Sequence, residues 1–155
     1  MAAGARRFVL DTNCFVDASH KVAEAAAFAE FCARAAPKLY LSTVVAAELR
    51  AGAASARDRR TLQRQVLAPY LRRGRVLNPS PAAWEALGTT LAALVEQDGL
   101  VLREIRRSFV FDILIARSCR EAGATLVSRN ATDLSRIARV FAFDFVAPYP
   151  HQSGD

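Results

Sequence analysis

FVLDTN, residues 8–13, sets three apolar residues directly before a carboxylate, a hydroxyl and an amide. The run Arg7–Leu10 reads as a buried strand, a short apolar segment bounded by turn-forming residues. Asp11 then stands at the strand's carboxyl end. An acid there can cap the helix that follows, or it can hold a metal ion at the mouth of a parallel sheet. One acid does not decide between these. Other acids arriving at the same rim would.

The rest of the chain alternates short apolar runs with longer alanine-rich segments. Residues 14–35 read as a helix that Pro37 stops. Residues 38–41 read as a second strand, and Ser42 or Thr43 can cap the helix that carries Glu48. Gly52 breaks or bends that helix. Residues 55–73 predict a helix with a basic face (Arg57, Arg59, Arg60, Arg64, Arg72 and Arg73), kinked or stopped at Pro69. Residues 75–77 read as a weak third strand. Residues 78–99 open on prolines and close on Gly99, as a helix does. Residues 103–107 are basic and give no clear pattern. A helix over 108–121, with Asp112 near its start, ends at Gly123. Residues 124–127 form a fourth strand, Ser128, Arg129 and Asn130 lead into a short helix from Ala131, and residues 143–146 form a last strand. Alternating strands and helices predict an α/β fold with a parallel sheet covered on both faces.

With 155 residues, the chain fits one domain and can bury a substantial core without staples. Its composition, 52% hydrophobic and 23% charged, is that of a globular protein rather than a disordered one. Net charge is +6, and every basic residue except Lys21 and Lys38 is arginine. Arginine's planar fork suits phosphate and carboxylate partners, so a polyanion or an acidic protein fits the balance; arginine-rich codon usage is the plain alternative. Cys14, Cys32 and Cys119 show neither pairing nor metal-ligand spacing, which points to free thiols in a reducing compartment. No signal peptide and no apolar run of membrane length is visible, so a soluble, cytoplasmic protein is expected.

Four acids fall where the strand ends gather. Asp11 leaves the first strand, Glu48 follows the second, Asp112 opens the helix before the fourth, and Asp133 comes just after the fourth. Each has a plain explanation. Asp11 can cap, Glu48 can be a solvated helix acid, Asp112 can complement a helix dipole, and Asp133 can belong to a cap opened by Asn130. Together they read differently. Like charges drawn to one rim repel unless a cation neutralises them, and Asp112 sits within FVFDILIA, where an unpaired charge is costly. Oxygen-only donors select a hard divalent ion, Mg²⁺ or Mn²⁺, which can acidify a water for attack on a phosphate ester.

The segments FVLDTN, VVAAEL, FDILIA and TLVSRNATDL, in this order and spacing, resemble the PIN-domain ribonucleases, and among them the VapC-type toxins of prokaryotic toxin–antitoxin pairs. The resemblance runs from Phe8 to Val146. It implies a PIN-like three-layer α/β/α fold with a central parallel sheet of four to five strands, occupying residues 1–147, with 148–155 a flexible tail. It also implies a Mg²⁺- or Mn²⁺-dependent endoribonuclease, homodimeric and silenced by a cognate antitoxin whose tail crosses the active-site groove. By motif match Asp11, Glu48, Asp112 and Asp133 stand at the family's acidic positions, as catalytic and metal-binding residues. Thr12, Asn13, Ser128 and Asn130 fall on its supporting polar positions, and Leu134 replaces a frequent aromatic.

An acid-lined site repels RNA, so basic residues outside it must hold the backbone; Arg57, Arg60, Arg64, Arg103, Arg106 and Arg107 are the candidates. An inhibitor is expected to place a basic side chain among the acids. Rival phosphate chemistries fail on particular residues. A haloacid-dehalogenase-type phosphatase needs a second aspartate where Asn13 stands, and both it and a receiver domain need a late lysine, absent after Lys38. No P-loop occurs, and His20 and His151 are poorly placed for a triad. A PIN-fold nuclease of RNA processing outside toxin pairs remains open, as does a non-catalytic RNA-binding or regulatory module.

Overall fold

Five parallel strands form the middle layer in the computed structural model, which describes residues 5–151. β1 (Arg7–Leu10) lies at the centre, and the spatial order is β3-β2-β1-β4-β5. β2 (Leu39–Ser42) pairs on one side of β1, with Phe8 beside Leu39. β4 (Ala124–Val127) pairs on the other, with Leu10 beside Val127. The edges are two-residue strands, β3 (Val76–Leu77) and β5 (Phe145–Val146). After β1 the chain leaves towards β2, and it returns to the opposite side only at β4. The carboxyl ends of β1 and β4 therefore flank the switch point of the sheet, where α/β folds open a crevice.

Side chains of β1 alternate between two cores, as the pleat requires. Phe8 and Leu10 face a cluster with Cys14, Phe31 and Ala35, from α1 (Thr12–His20) and α2 (Val22–Ala35). Val9 faces the larger cluster, built from α3 (Thr43–Gly52), α6 (Pro81–Asp98), α7 (Arg107–Ala122) and α8 (Ala131–Ala138). Between α3 and β3 run α4 (Ala56–Thr61), a π-helical turn at Leu62–Leu67, and α5 (Ala68–Arg72). Among the described residues no helix is long and apolar enough to cross a membrane. The three cysteines are free.

Some expectations are corrected. The helix expected over 14–35 is two helices; Lys21 is extended, and α1 begins earlier, at Thr12, capped by Asp11. The helix expected over 55–73 with a kink or stop at Pro69 is instead interrupted earlier, by the π turn over Leu62–Leu67; Pro69 supplies no N–H to the ladder. The helix read over 78–99 starts at Pro81, with the Ser80 hydroxyl accepting from the Ala83 N–H, and ends at Gly99 with φ +64°. In the tail expected from residue 148, Tyr149 stacks on Phe31 at 5.3 Å, and Arg34 donates to the Pro150 carbonyl at 3.2 Å. Residues 152–155 of the expected flexible tail lie outside the described residues.

Candidate active site

Each acid reaches the carboxyl edge of the sheet by a different route. Asp11 follows β1 directly, and its own N–H donates to the Val127 carbonyl at 2.9 Å, which ties it to β4. Its side chain also caps α1, accepting from the Thr12 N–H at 2.8 Å. Capping and site membership thus coincide in one residue. Glu48 rides on α3, which the Ser42 hydroxyl starts by accepting from the Val44 N–H. α7 packs on β4 and precedes it in the chain, so its first turns return to the strands' carboxyl edge and deliver Asp112. Asp133 lies in the first turn of α8, just beyond β4.

Polar side chains link these acids. The Ser128 hydroxyl donates to Asp11 Oδ2 at 2.6 Å, and the Asn13 amide donates to the same oxygen at 3.3 Å. Thr12 donates to Glu48 Oε2 at 2.5 Å. A cap opened by Asn130 was the plain alternative for Asp133, but the Asn130 side chain makes no capping bond. Its Nδ2 instead lies 3.0 Å from Asp112 Oδ2 and 3.0 Å from Asp133 Oδ2, joining the two acids. Asp11 is 3% exposed and Asp112 7%, so water screens neither well.

Electrostatics follow from that burial. The Asp112 carboxyl is pushed up to about 8, first by burial, then by the negative charges of Asp11, Asp133 and Glu48; the Asn130 amide acts the other way. Burial also raises Asp11, against hydrogen bonds from Ser128, Thr12 and Asn13. Burial raises Glu48 too, aided by Asp11 and opposed by the Thr12 hydroxyl and by Arg107. Among the described residues Asp11, Glu48 and Asp112 have no ion-pair partner, whereas Asp133 pairs with Arg106 at 3.1 Å. The donor chemistry is that of a hard cation: oxygens only, buried at Asp11 and Asp112, half-buried at Glu48 and Asp133, and short of positive charge. Among the described residues no three acid, histidine or cysteine side chains close on one point as a full ligand set. An ion held here would take most of its shell from water, as Mg²⁺ commonly does.

The candidate arginines divide. Arg106 pairs with Asp133, and Arg107 lies over the Phe111 ring at 5.9 Å. Arg57, Arg60, Arg64 and Arg103 are exposed and form no salt bridge among the described residues. A groove of about 730 Å³ leaves the site at Thr12 and Glu48 and runs past Phe15, Val16, Leu49 and Leu62; none of the six arginines lines it. Sequence reasoning missed Arg129. Its side chain pairs with Asp17 at 2.8 Å and with Glu24, while its N–H donates to Asn13 Oδ1 at 3.2 Å. Those partners lie more than a hundred positions away, so no local pattern marks it. Leu134, where an aromatic is frequent, is fully buried in the larger core.

Solved structures of similar fold cover nearly the whole chain. VapBC2 from Rickettsia felis, bound to a DNA fragment from its promoter, matches with a TM-score of 0.64 and 25% identity, covering 90% of this chain and 97% of that one. DNA-bound VapBC from Salmonella typhimurium matches at 0.67 and 23% identity, over 92% and 98% of the two chains. VapBC-1 from nontypeable Haemophilus influenzae matches at 0.60 and 21% identity, over 90% and 96%. No curated protein matches the sequence. The PIN domain family model matches residues 8–140, from the first buried strand residue to just beyond α8. The chain belongs to the PIN-domain family.

Proposed function

We propose that this protein is a Mg²⁺- or Mn²⁺-dependent endoribonuclease and the toxin of a type II toxin–antitoxin pair. The observation that carries the reading is Asp112, a buried carboxyl driven up to about 8 among three other acids, with no cationic partner among the described residues. A fold gains no stability from such a group, and strongly perturbed acids in a cleft mark functional sites. Family membership and the likeness to VapBC structures support the toxin assignment.

Asp11 and Asp112 would hold the ion, with Glu48 and Asp133 acting on its water shell. Bound there, a divalent cation supplies a water acidic enough to attack an RNA phosphodiester. Ser128 and Asn13 orient Asp11, Asn130 orients Asp112 and Asp133, and Thr12 orients Glu48. Each of these residues fixes a carboxylate oxygen by a hydrogen bond that water would otherwise compete for. Basic side chains outside the cluster, Arg106 first among the candidates, hold the RNA backbone against the acids' repulsion.

The groove that Thr12 and Glu48 help to line fits an inhibitory segment of a cognate antitoxin: mostly apolar walls with two acids, Glu48 and Asp58. Such a segment is expected to seat apolar side chains in the groove and a basic one against Glu48. Two copies of the chain are expected to pair, as in the toxin family.

The test is cleavage of total RNA by purified protein with Mg²⁺ or Mn²⁺, with chelator, and by Asp112→Asn. Cleavage with metal, lost in chelator and in the variant, is the expected result. Cleavage that survives chelation or the substitution overturns the metal mechanism. Activity without growth arrest on expression overturns the toxin assignment and leaves a nuclease of RNA processing.

A further inference from the structure

Among the described residues Asp133 differs from the other three acids in having a cation of its own. Its Oδ2 accepts from Asn130 at 3.0 Å and from the Arg106 Nη2 at 3.1 Å. Arg106 precedes α7 in extended conformation, and its carbonyl accepts from the Phe109 N–H at 3.0 Å, so the backbone is fixed. The guanidinium is not: its side chain is 73% exposed, against 16% for Asp133. Guanidinium carries five N–H donors, and only the one on Asp133 is engaged with the described protein atoms. Beside it opens a polar hollow of about 390 Å³, lined by Asn13, Arg106, Ser108, Arg129, Asn130 and Asp133. Arg129 is already held by two carboxylates there, so Arg106 is the arginine with donors to offer.

We propose that Arg106 is a shared counter-ion, neutralising Asp133 while the site lacks a divalent cation and turning its free donors to an RNA phosphate when substrate arrives. The inference rests on the reading of the acids as a cation site. Its two duties oppose each other. The Arg106–Asp133 pair competes with a divalent cation for the carboxylate, so it weakens cation binding. The same guanidinium attracts the polyanion, so it strengthens RNA binding. A surface ion pair remote from both the cation and the RNA path would move neither.

Two titrations separate these outcomes. Mn²⁺ is titrated calorimetrically into wild type, Arg106→Gln, Arg106→Lys and Asp112→Asn, all without RNA. A labelled single-stranded RNA of mixed sequence is titrated by fluorescence anisotropy in chelator, across a range of salt. Arg106→Gln is expected to bind Mn²⁺ about two- to five-fold more tightly, the scale of an exposed ion pair. It is expected to bind RNA more weakly, with the salt slope reduced by about 0.7, one single-strand phosphate contact. Arg106→Lys is expected to restore most of the RNA affinity. Unchanged or weaker Mn²⁺ binding by Arg106→Gln, while Asp112→Asn abolishes it, overturns this proposal and leaves the cation site standing. An unchanged RNA salt slope also overturns it. Absence of Mn²⁺ binding by wild type overturns both. Circular dichroism of each variant confirms that the fold is retained.

Discussion

The Ser128 hydroxyl lies 2.6 Å from Asp11 Oδ2, joining the ends of two adjacent parallel strands that are 117 positions apart in the chain. Ser128 is 2% exposed and also accepts from the Asn13 amide and from the Asn130 N–H. One hydroxyl therefore orders both the first acid and the loop whose Asn130 bridges Asp112 and Asp133.

Replacing that hydroxyl leaves a buried carboxylate and two donors short of a partner. Ser128→Ala is expected to destabilise the fold by about 1–3 kcal/mol, measured by urea unfolding, with Ser128→Thr close to wild type. It should also raise the Asp11 carboxyl further, because the Ser128 hydrogen bond lowers it.

In chelator, Asp112 should make stability depend on pH. Its folded value, about 8, lies above the ordinary 3.8, so the native state binds a proton that the unfolded chain releases. Stability from this group therefore falls as pH rises from about 4 to about 8 and is flat outside that window. Asp112→Asn should reduce the dependence, leaving the part due to the raised Asp11 and Glu48, and be the more stable protein at pH 8. Equal slopes for the two proteins in urea titrations across that window would contradict the burial of this charge.

Saturating Mn²⁺ should raise the melting temperature at pH 8 in wild type, because a ligand bound only by the native state stabilises it, by about 2.7 kcal/mol at a hundred times Kd. For a chain of this size each kcal/mol corresponds to about 2–4 °C. Asp11→Asn and Asp112→Asn should show little or no shift in differential scanning calorimetry.

Arg129→Ala should loosen the loop between Ser128 and Asn130. Its ion pairs with Asp17 and Glu24 are partly exposed, so the stability loss is about 1 kcal/mol or less. Faster hydrogen exchange at residues 128–130 than in wild type is the expected signature. Unchanged exchange there would show that β4 alone holds the loop.

Tyr149→Ala tests whether the tail belongs to the fold. Tyr149 stacks on Phe31, which is fully buried, and meets Phe28 edge-on at 6.3 Å. A loss of about 1–3 kcal/mol in thermal unfolding is expected. A tail that merely rests on the surface would give no loss.

Much of this architecture was legible along the chain because its signals are local. The apolar run before Asp11 becomes β1, the apolar stretch 124–127 becomes β4, and Gly99 and Gly123 end helices in the left-handed conformation that glycine tolerates. The break at Lys21 was not legible, and although Pro69 announced a kink or stop, the π turn that precedes it was not. Good helix formers stand on either side of both, alanines around the first and arginines, glutamines and leucines around the second, and packing against the sheet, not propensity, decides where the axis turns. Arg129 and Tyr149 were hidden for a related reason: what defines each is a partner far off in sequence.

The order of apolar runs and acids along the chain determined the parallel α/β class and nominated Asp11, Glu48, Asp112 and Asp133, because period and punctuation are properties of neighbouring residues. Folding alone decided which oxygens share a hydrogen bond, that Asn130 serves two acids rather than a helix end, and that Asp133 alone of the four has an arginine partner among the described residues. Coulomb and hydrogen-bond energies depend on distances of a few ångströms, and the sheet sets those distances by laying residues 11 and 128 side by side.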